Sequence, residues 1–309
     1  MRAVDASANV LSASPAPSPP AGSFPAGASP PIRDAATVIL VSDRPDLHVL
    51  MLERTRRAVF GPGATVFPGG AVDADDRDPR LVARVVDLDD RGASAEHGLP
   101  AGGLGFRVAA LRECFEEAGI LLAADKVTGV PVEHGADLAA VRDQLNAGTL
   151  RFVDLLEGRG LVLAARPLRL FSHWLTPLGA PRRYNTWFFV AAAPDGEDGA
   201  HDDNELVASG WVRPPDALAQ HAAGEIDLIF PTETSLRVLT RYEHAGALLD
   251  DLDAGARDAN GPSRVVTDGT GERVVLPGDA VCETSHWTIP LPDISFRAER
   301  AAAAGEVNV

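Results

Sequence analysis

Apolar residues recur along this chain with two different periods, and the switches between them mark out its elements. Residues 1–33 carry few large apolar side chains among Ala, Ser, Pro and Gly, too few to offset the entropy of ordering, so a disordered tail is expected there. One domain is expected over 34–298, followed by a flexible end at 299–309. "ATVILVS" and "LHVLMLER" are β-rich runs parted by the turn signal "DRPD", which predicts adjacent strands. "FGPGATVFPGG" excludes a helix through its glycines and prolines, while its "ATVF" predicts a short strand running into a double-glycine turn.

The acidic stretch 77–104 predicts an insertion carried at the surface, with one helical segment in "PRLVARVVDL". Helical period returns in "FRVAALRECFEEAGI", where Val108, Leu111 and Phe115 recur at spacings of three and four and Gly119 stands where a left-handed cap ends the helix. "DLAAVRDQLNAGTLRFVDLLEG" reads as a second helical stretch. "RLFSHWLTP", "RRYNTWFFVAAAP" and "LVASGWV" read as strands, with Trp187 and Phe189 as core positions. "PPDALAQHAAG" and "TSLRVLTRYEHAGALLDDL" read as helices, and "SRVVTDGTGERVVLPGD" as a late hairpin about 268–271. Strands and helices mixed without βαβ alternation predict an α/β fold, a sandwich around a mixed sheet that is not doubly wound.

Composition narrows the function. With 28 basic against 44 acidic residues the net charge is −16, and no segregated basic patch offsets it, which argues against nucleic acid and membrane as partners. A phosphate ligand would need a cation between itself and the protein. Two distant cysteines, Cys114 and Cys282, are neither a disulfide scaffold nor a zinc pair and fit a reducing compartment. No apolar run approaches the roughly 20 residues that span a bilayer. The chain ends "EVNV" instead of a Ser-Lys-Leu address, so a cytoplasmic protein is expected.

"RECFEEAGI" holds the candidate chemistry. On one helix, Glu113, Glu116 and Glu117 share a face opposite Leu111 and Phe115, and Arg112 can pair with Glu116 one turn on. Three like charges so close either form a solvated acidic face or hold a divalent cation, which prefers oxygen ligands. Cys114 lies beside the apolar face and His173 on a strand, and neither has a catalytic partner in the pattern.

Read with Gly70 of "FPGG", the stretch resembles the box of the Nudix hydrolases. Arg112, Glu113, Cys114, Glu116, Glu117, Gly119 and Ile120 match its second half without a gap, Gly70 matches its first glycine, and Asp76 stands where the family has Glu. Arg112 follows Gly70 by 42 residues where the family spacing is 14, so about 28 residues interrupt the box. "ERTRRAVFGPGATVFPGGAVDADD", "HWLTPLGAPRRYNTWFFVAAAP" and "VVLPGD" extend the likeness to the acyl-CoA diphosphatase branch, although Val59 and Gly61 replace an Arg and a His of a wider CoA signature. The resemblance implies a Nudix fold and Mg²⁺ or Mn²⁺ held by Glu113, Glu116, Glu117 and the Gly70 carbonyl. It also implies a catalytic base, Glu205 or Glu113, and phosphate contacts from Arg54, Arg182 and Arg183. The implied reaction is cleavage of CoA or acyl-CoA to (acyl-)4′-phosphopantetheine and adenosine 3′,5′-bisphosphate. Hydrolysis of ADP-ribose or NADH, or a non-catalytic nucleotide-binding module, are the alternatives, with oligomeric state open and a homodimer one option.

Overall fold

The computed structural model describes residues 31–56, 62–132, 136–176, 182–194 and 206–254, and the strand segments 258–260, 264–268, 271–275 and 287–289. Expectations for the tail at 1–30, for the C-terminal end and for Glu205 lie outside these residues. The chain begins with strands β1 (Ile32–Asp43), β2 (Leu47–Arg54), β3 (Ala64–Val66) and β4 (Gly69–Ala71). A 3₁₀ turn at Asp75–Arg77 leads to helices α1 (Pro79–Val82), α2 (Asp90–His97) and α3 (Gly103–Ala118). Then come β5 (Ala123–Asp125), α4 (Ala136–Asn146), α5 (Phe152–Gly158), β6 (Leu161–Leu163), β7 (Arg169–Leu175), β8 (Arg183–Ala192) and β9 (Leu206–Val212). The last elements are α6 (Pro214–Ala222), β10 (Asp227–Leu228), α7 (Phe230–Leu239), α8 (Ala245–Asp253), β11 (Asp258–Asn260), the hairpin β12 (Arg264–Asp268) and β13 (Gly271–Val275), and β14 (Trp287–Ile289).

Eight strands form one mixed sheet. The path runs β10-β3-β2-β1-β8-β7, with β4 on β1 and β9 on β2, and β1 lies parallel to β8 over ten residues. β1 is apolar on both faces, as a central strand between two helical layers must be. Ala36, Val38 and Leu40 pack against α3, α4 and α5, while Ile39 and Val41 pack against α6, α7 and α8. The expected three layers are therefore present. β1 and β2 pair only at 41–43 with 47–49, and the segment 64–71 fills the space where they diverge, β3 on β2 and β4 on β1. No helix among the described residues is long and apolar enough to cross a membrane.

Two of the segments read from the sequence take another form, and the short strands β5, β6 and β10 were not expected. The helical stretch 137–158 breaks into α4 and α5 at Gly148, whose φ of 67° is left-handed, so "NAGT" is a helix end. The segment 77–104 is not merely surface-borne, because Leu81, Leu88 and Ala93 are buried in the core cluster and its single expected helix is replaced by α1 and α2.

The segment builds the start of the central helix. The Asp90 carboxylate accepts from the Gly102 and Leu104 amides at 2.9 and 3.0 Å, and Ser94 Oγ accepts from Gly103 N at 2.9 Å. Those are orphan donors of the first turn of α3, satisfied from α2. Asp87 accepts from the Ala165 and Arg166 amides, and buried Arg107 donates to the Ala165 and Leu168 carbonyls and to Glu96, so inserted and later segments lock together. Asp90→Ala removes two of these acceptors and is expected to cost about 1–2 kcal/mol in denaturant unfolding, the range for a lost helix cap.

Candidate active site

Helix α3 presents its polar face to the outer edge of β4, and the glycines there let it come close. A Cβ on Gly70 would collide with the Glu113 carboxylate, which occupies its place. Gly69 is closed off from the other side by the Ala36 carbonyl at 2.5 Å. The Gly69 amide donates to Glu117 Oε2 at 2.8 Å. Gly119, with φ 73°, ends the helix as the sequence pattern requires.

Arg112 is the centre of the arrangement. Only 7% exposed, it donates Nε and Nη2 to the two Asp76 oxygens at 2.8 and 3.0 Å, Nη1 to Glu113 Oε1 at 2.9 Å and to Glu116 Oε2 at 2.6 Å, and Nη2 to the Ala71 carbonyl at 3.0 Å. Asp76, fully buried, also accepts from the Asp73 amide at 2.8 Å. The shorter carboxylate at the family's Glu position thus makes a two-point bond to the arginine, bridging 36 residues of chain. Burial works against the Arg112 charge, but hydrogen bonding to Asp76 and the charges of Glu113, Asp76 and Glu116 outweigh it and raise its pKa. Burial pushes the Glu113 carboxyl up to about 7, against the pull of Arg112 and reinforced by Glu116. Glu116 is raised likewise, first by burial. The Cys114 thiol is pushed up by complete burial with Glu117 beside it, which makes it an inert core residue.

These groups form one end of a cavity of about 1460 Å³, above the roughly 300–1,000 Å³ of most ligand pockets. Across the sheet, Ala71 lies opposite Ala35, Ala35 opposite Thr186, and Thr186 opposite Trp174. Three strand spacings, about 14 Å, therefore separate the carboxylate end from the β7 wall. There Trp174 meets Phe230 edge to face at 5.6 Å, with Phe188 and Phe67 also lining the space. The Trp174 indole N–H donates to Ser172 Oγ at 3.0 Å.

The other expected residues fall in three groups. Arg54 and Arg182 line the cavity, Arg54 with Nη1 4.0 Å from Glu117 Oε1. Arg183 is buried and donates Nε to the Thr176 carbonyl, which places it in the framework of the β7–β8 turn. His173 stacks on Trp187 at 3.9 Å, and Trp187 and Phe189 are core residues. Arg151 and Asn146 line the cavity from the α4–α5 side, and Phe230 from α7, with no signal in the box to mark any of them.

The groups at this end that could ligate an ion are carboxylate and carbonyl oxygens, the set that suits a hard divalent cation. Asp73, Asp76, Glu113, Glu116 and Glu117 outnumber Arg112 and Arg54, leaving negative charge to neutralise. As the side chains stand, no three His, Cys, Asp or Glu groups among the described residues are placed to hold an ion together. Arg112 draws Glu113 and Glu116 to itself and Gly69 holds Glu117, so coordination requires rotation of glutamate side chains.

A three-layered sandwich with this glycine turn and carboxylate helix is a Nudix hydrolase fold. A NUDIX hydrolase structure from Alicyclobacillus acidocaldarius is 28% identical with a TM-score of 0.57, covering 71% of this chain and 96% of that one. Residues 82–239, just over half of the chain, match the family model of the NUDT19 Nudix domain. The acyl-coenzyme A diphosphatase NUDT19 of Gallus gallus is 29% identical over 301 residues, covering 80% of this chain and 79% of its own. That of Homo sapiens is 29% identical over 239 residues, covering 66% of this chain and 62% of its own. The chain belongs to this NUDT19 family of Nudix hydrolases, enzymes that cut diphosphate bonds.

The two glycines make opposite predictions. Gly69→Ala pushes a methyl group into the β1 backbone and is expected to cost about 1–3 kcal/mol of stability. Gly70→Ala meets only the tip of a flexible glutamate and is expected to keep stability within about 1 kcal/mol while displacing Glu113 and lowering turnover. Thermal unfolding and diphosphatase assays on both variants check this.

Proposed function

We propose that the chain hydrolyses the diphosphate of CoA and acyl-CoA with Mg²⁺ or Mn²⁺, releasing (acyl-)4′-phosphopantetheine and adenosine 3′,5′-bisphosphate. The observation that carries this reading is a cavity that joins a carboxylate end to an aromatic one about 14 Å away across the sheet. The names of the chicken and human relatives point the same way.

Glu113, Glu116 and Glu117, with the Gly70 carbonyl, are the groups that would hold the cation, and Arg112 orients the first two. A bound divalent cation supplies charge neutralisation of the diphosphate and lowers the pKa of a bound water. Arg54 and Arg182 offer guanidinium donors to phosphate oxygens from the cavity wall. The aromatic end gives the pantetheine arm and its acyl group a surface that displaces water. A carboxylate takes the proton of the attacking water, Glu113 from within the cavity or Glu205 from before β9.

The test is product analysis. Purified chain with acyl-CoA and Mn²⁺ should release adenosine 3′,5′-bisphosphate, and Glu117→Gln should reduce turnover at least about 100-fold with the fold unchanged by circular dichroism. Turnover of ADP-ribose or NADH with every CoA species left intact would reject the substrate. Full activity in Glu117→Gln, or without any divalent cation, would reject the site.

A further inference from the structure

The last turn of α3 carries Glu116 and Glu117, and its final carbonyls have no partner inside the helix. One side chain from α4 takes two of them. Arg142 donates Nε to the Glu116 carbonyl at 2.9 Å and Nη2 to the Glu117 carbonyl at 2.6 Å. Asn146, one turn along the same helix, donates Nδ2 to the Glu116 carbonyl at 3.2 Å. Arg142 is 8% exposed, so these bonds are made largely out of water, and its charge sits at the negative end of the helix dipole. Gly119 turns the chain away directly after this turn, so no further helical residue can serve those carbonyls.

We infer that Arg142 is a positioning residue for the reaction, fixing the backbone from which Glu116 and Glu117 reach the cation. The inference rests on the proposed cation site. Arg142 acts through the backbone, and a carboxylate that must meet an ion within a few tenths of an ångström depends on where its own Cα is held. The same segment faces the substrate cavity, since Asp143, Asn146, Ala147 and Gly148 line it.

The experiment measures binding of Mn²⁺ alone by calorimetry and by the electron paramagnetic resonance of the free ion, alongside steady-state kinetics. Arg142→Ala should weaken Mn²⁺ binding about tenfold or more, the size of effect seen when partners behind a metal ligand are removed. It should lower kcat while KM for acyl-CoA stays within about twofold, the pattern expected when an interaction with the reacting groups is lost. Arg142→Lys keeps the charge but cannot span two carbonyls in fixed geometry, so it should recover only part of the affinity. Asn146→Ala should weaken Mn²⁺ binding in the same direction by a smaller factor. A folded Arg142→Ala that binds Mn²⁺ as tightly as the wild type overturns the inference and leaves the cation site standing. Absence of Mn²⁺ binding in the wild type overturns the cation site and the inference together. Should Arg142→Ala not fold, wild-type affinity in both Arg142→Lys and Asn146→Ala overturns the inference, and graded loss supports it.

Discussion

A guanidinium removed from water has to be repaid by partners on every side, and Arg112 meets that demand with Asp76, Glu113, Glu116 and the Ala71 carbonyl. The partners come from three parts of the motif. Asp76 follows the glycine turn, Ala71 ends β4, and the glutamates belong to the arginine's own helix. Losing one partner of a buried ion pair costs about 3–5 kcal/mol, so the chain cannot let these parts drift. The interruption of the box is tolerated because this contact closes it again, and loop length adds to closure entropy only slowly. The cost of gathering so many carboxylates shows in Glu113, which burial and Glu116 push up to about 7 despite Arg112.

The inserted residues serve the helix they precede. Asp90 and Ser94 satisfy the amides at the start of α3, and Arg142 and Asn146 satisfy carbonyls at its end. A helix held at both termini from outside presents its polar face as a fixed wall. Its apolar face meanwhile packs on Ala36, Val38 and Leu40 of the central strand. Catalytic groups on such an element are placed more precisely than groups on a loop.

What the sequence made legible were the features set by local pattern. The apolar spacing of Val108, Leu111 and Phe115 with Gly119 behind them specified α3 and its end, and the β-rich apolar runs after residue 34 specified the first strands. The two halves of the box could be matched across the gap because glycine turn and helix each keep their own signature. Less legible were contacts between distant segments. Nothing in the neighbourhood of Arg142 distinguishes it from a solvated arginine, since its partners are backbone carbonyls that any residue would offer. Arg183 resembled a phosphate contact by type and position, and the bond its Nε makes to the Thr176 carbonyl could not be read from either. Apolar spacing ran on past Gly148 and suggested one helix where there are two.

Cavity and charge together make the functional reading coherent. An acidic protein can receive an anionic diphosphate where a cation stands between them, and this cavity gathers Glu113, Glu116 and Glu117 with Arg112 and Arg54 beside them. The direct measurement is anomalous diffraction from crystals grown with Mn²⁺. Density for the ion is expected to be bordered by the carboxylates of Glu113, Glu116 and Glu117 and the Gly70 carbonyl, with Arg112 still bonded to Asp76. Mn²⁺ bound elsewhere, with those glutamates still folded onto Arg112 and Gly69 at concentrations that support turnover, would contradict it.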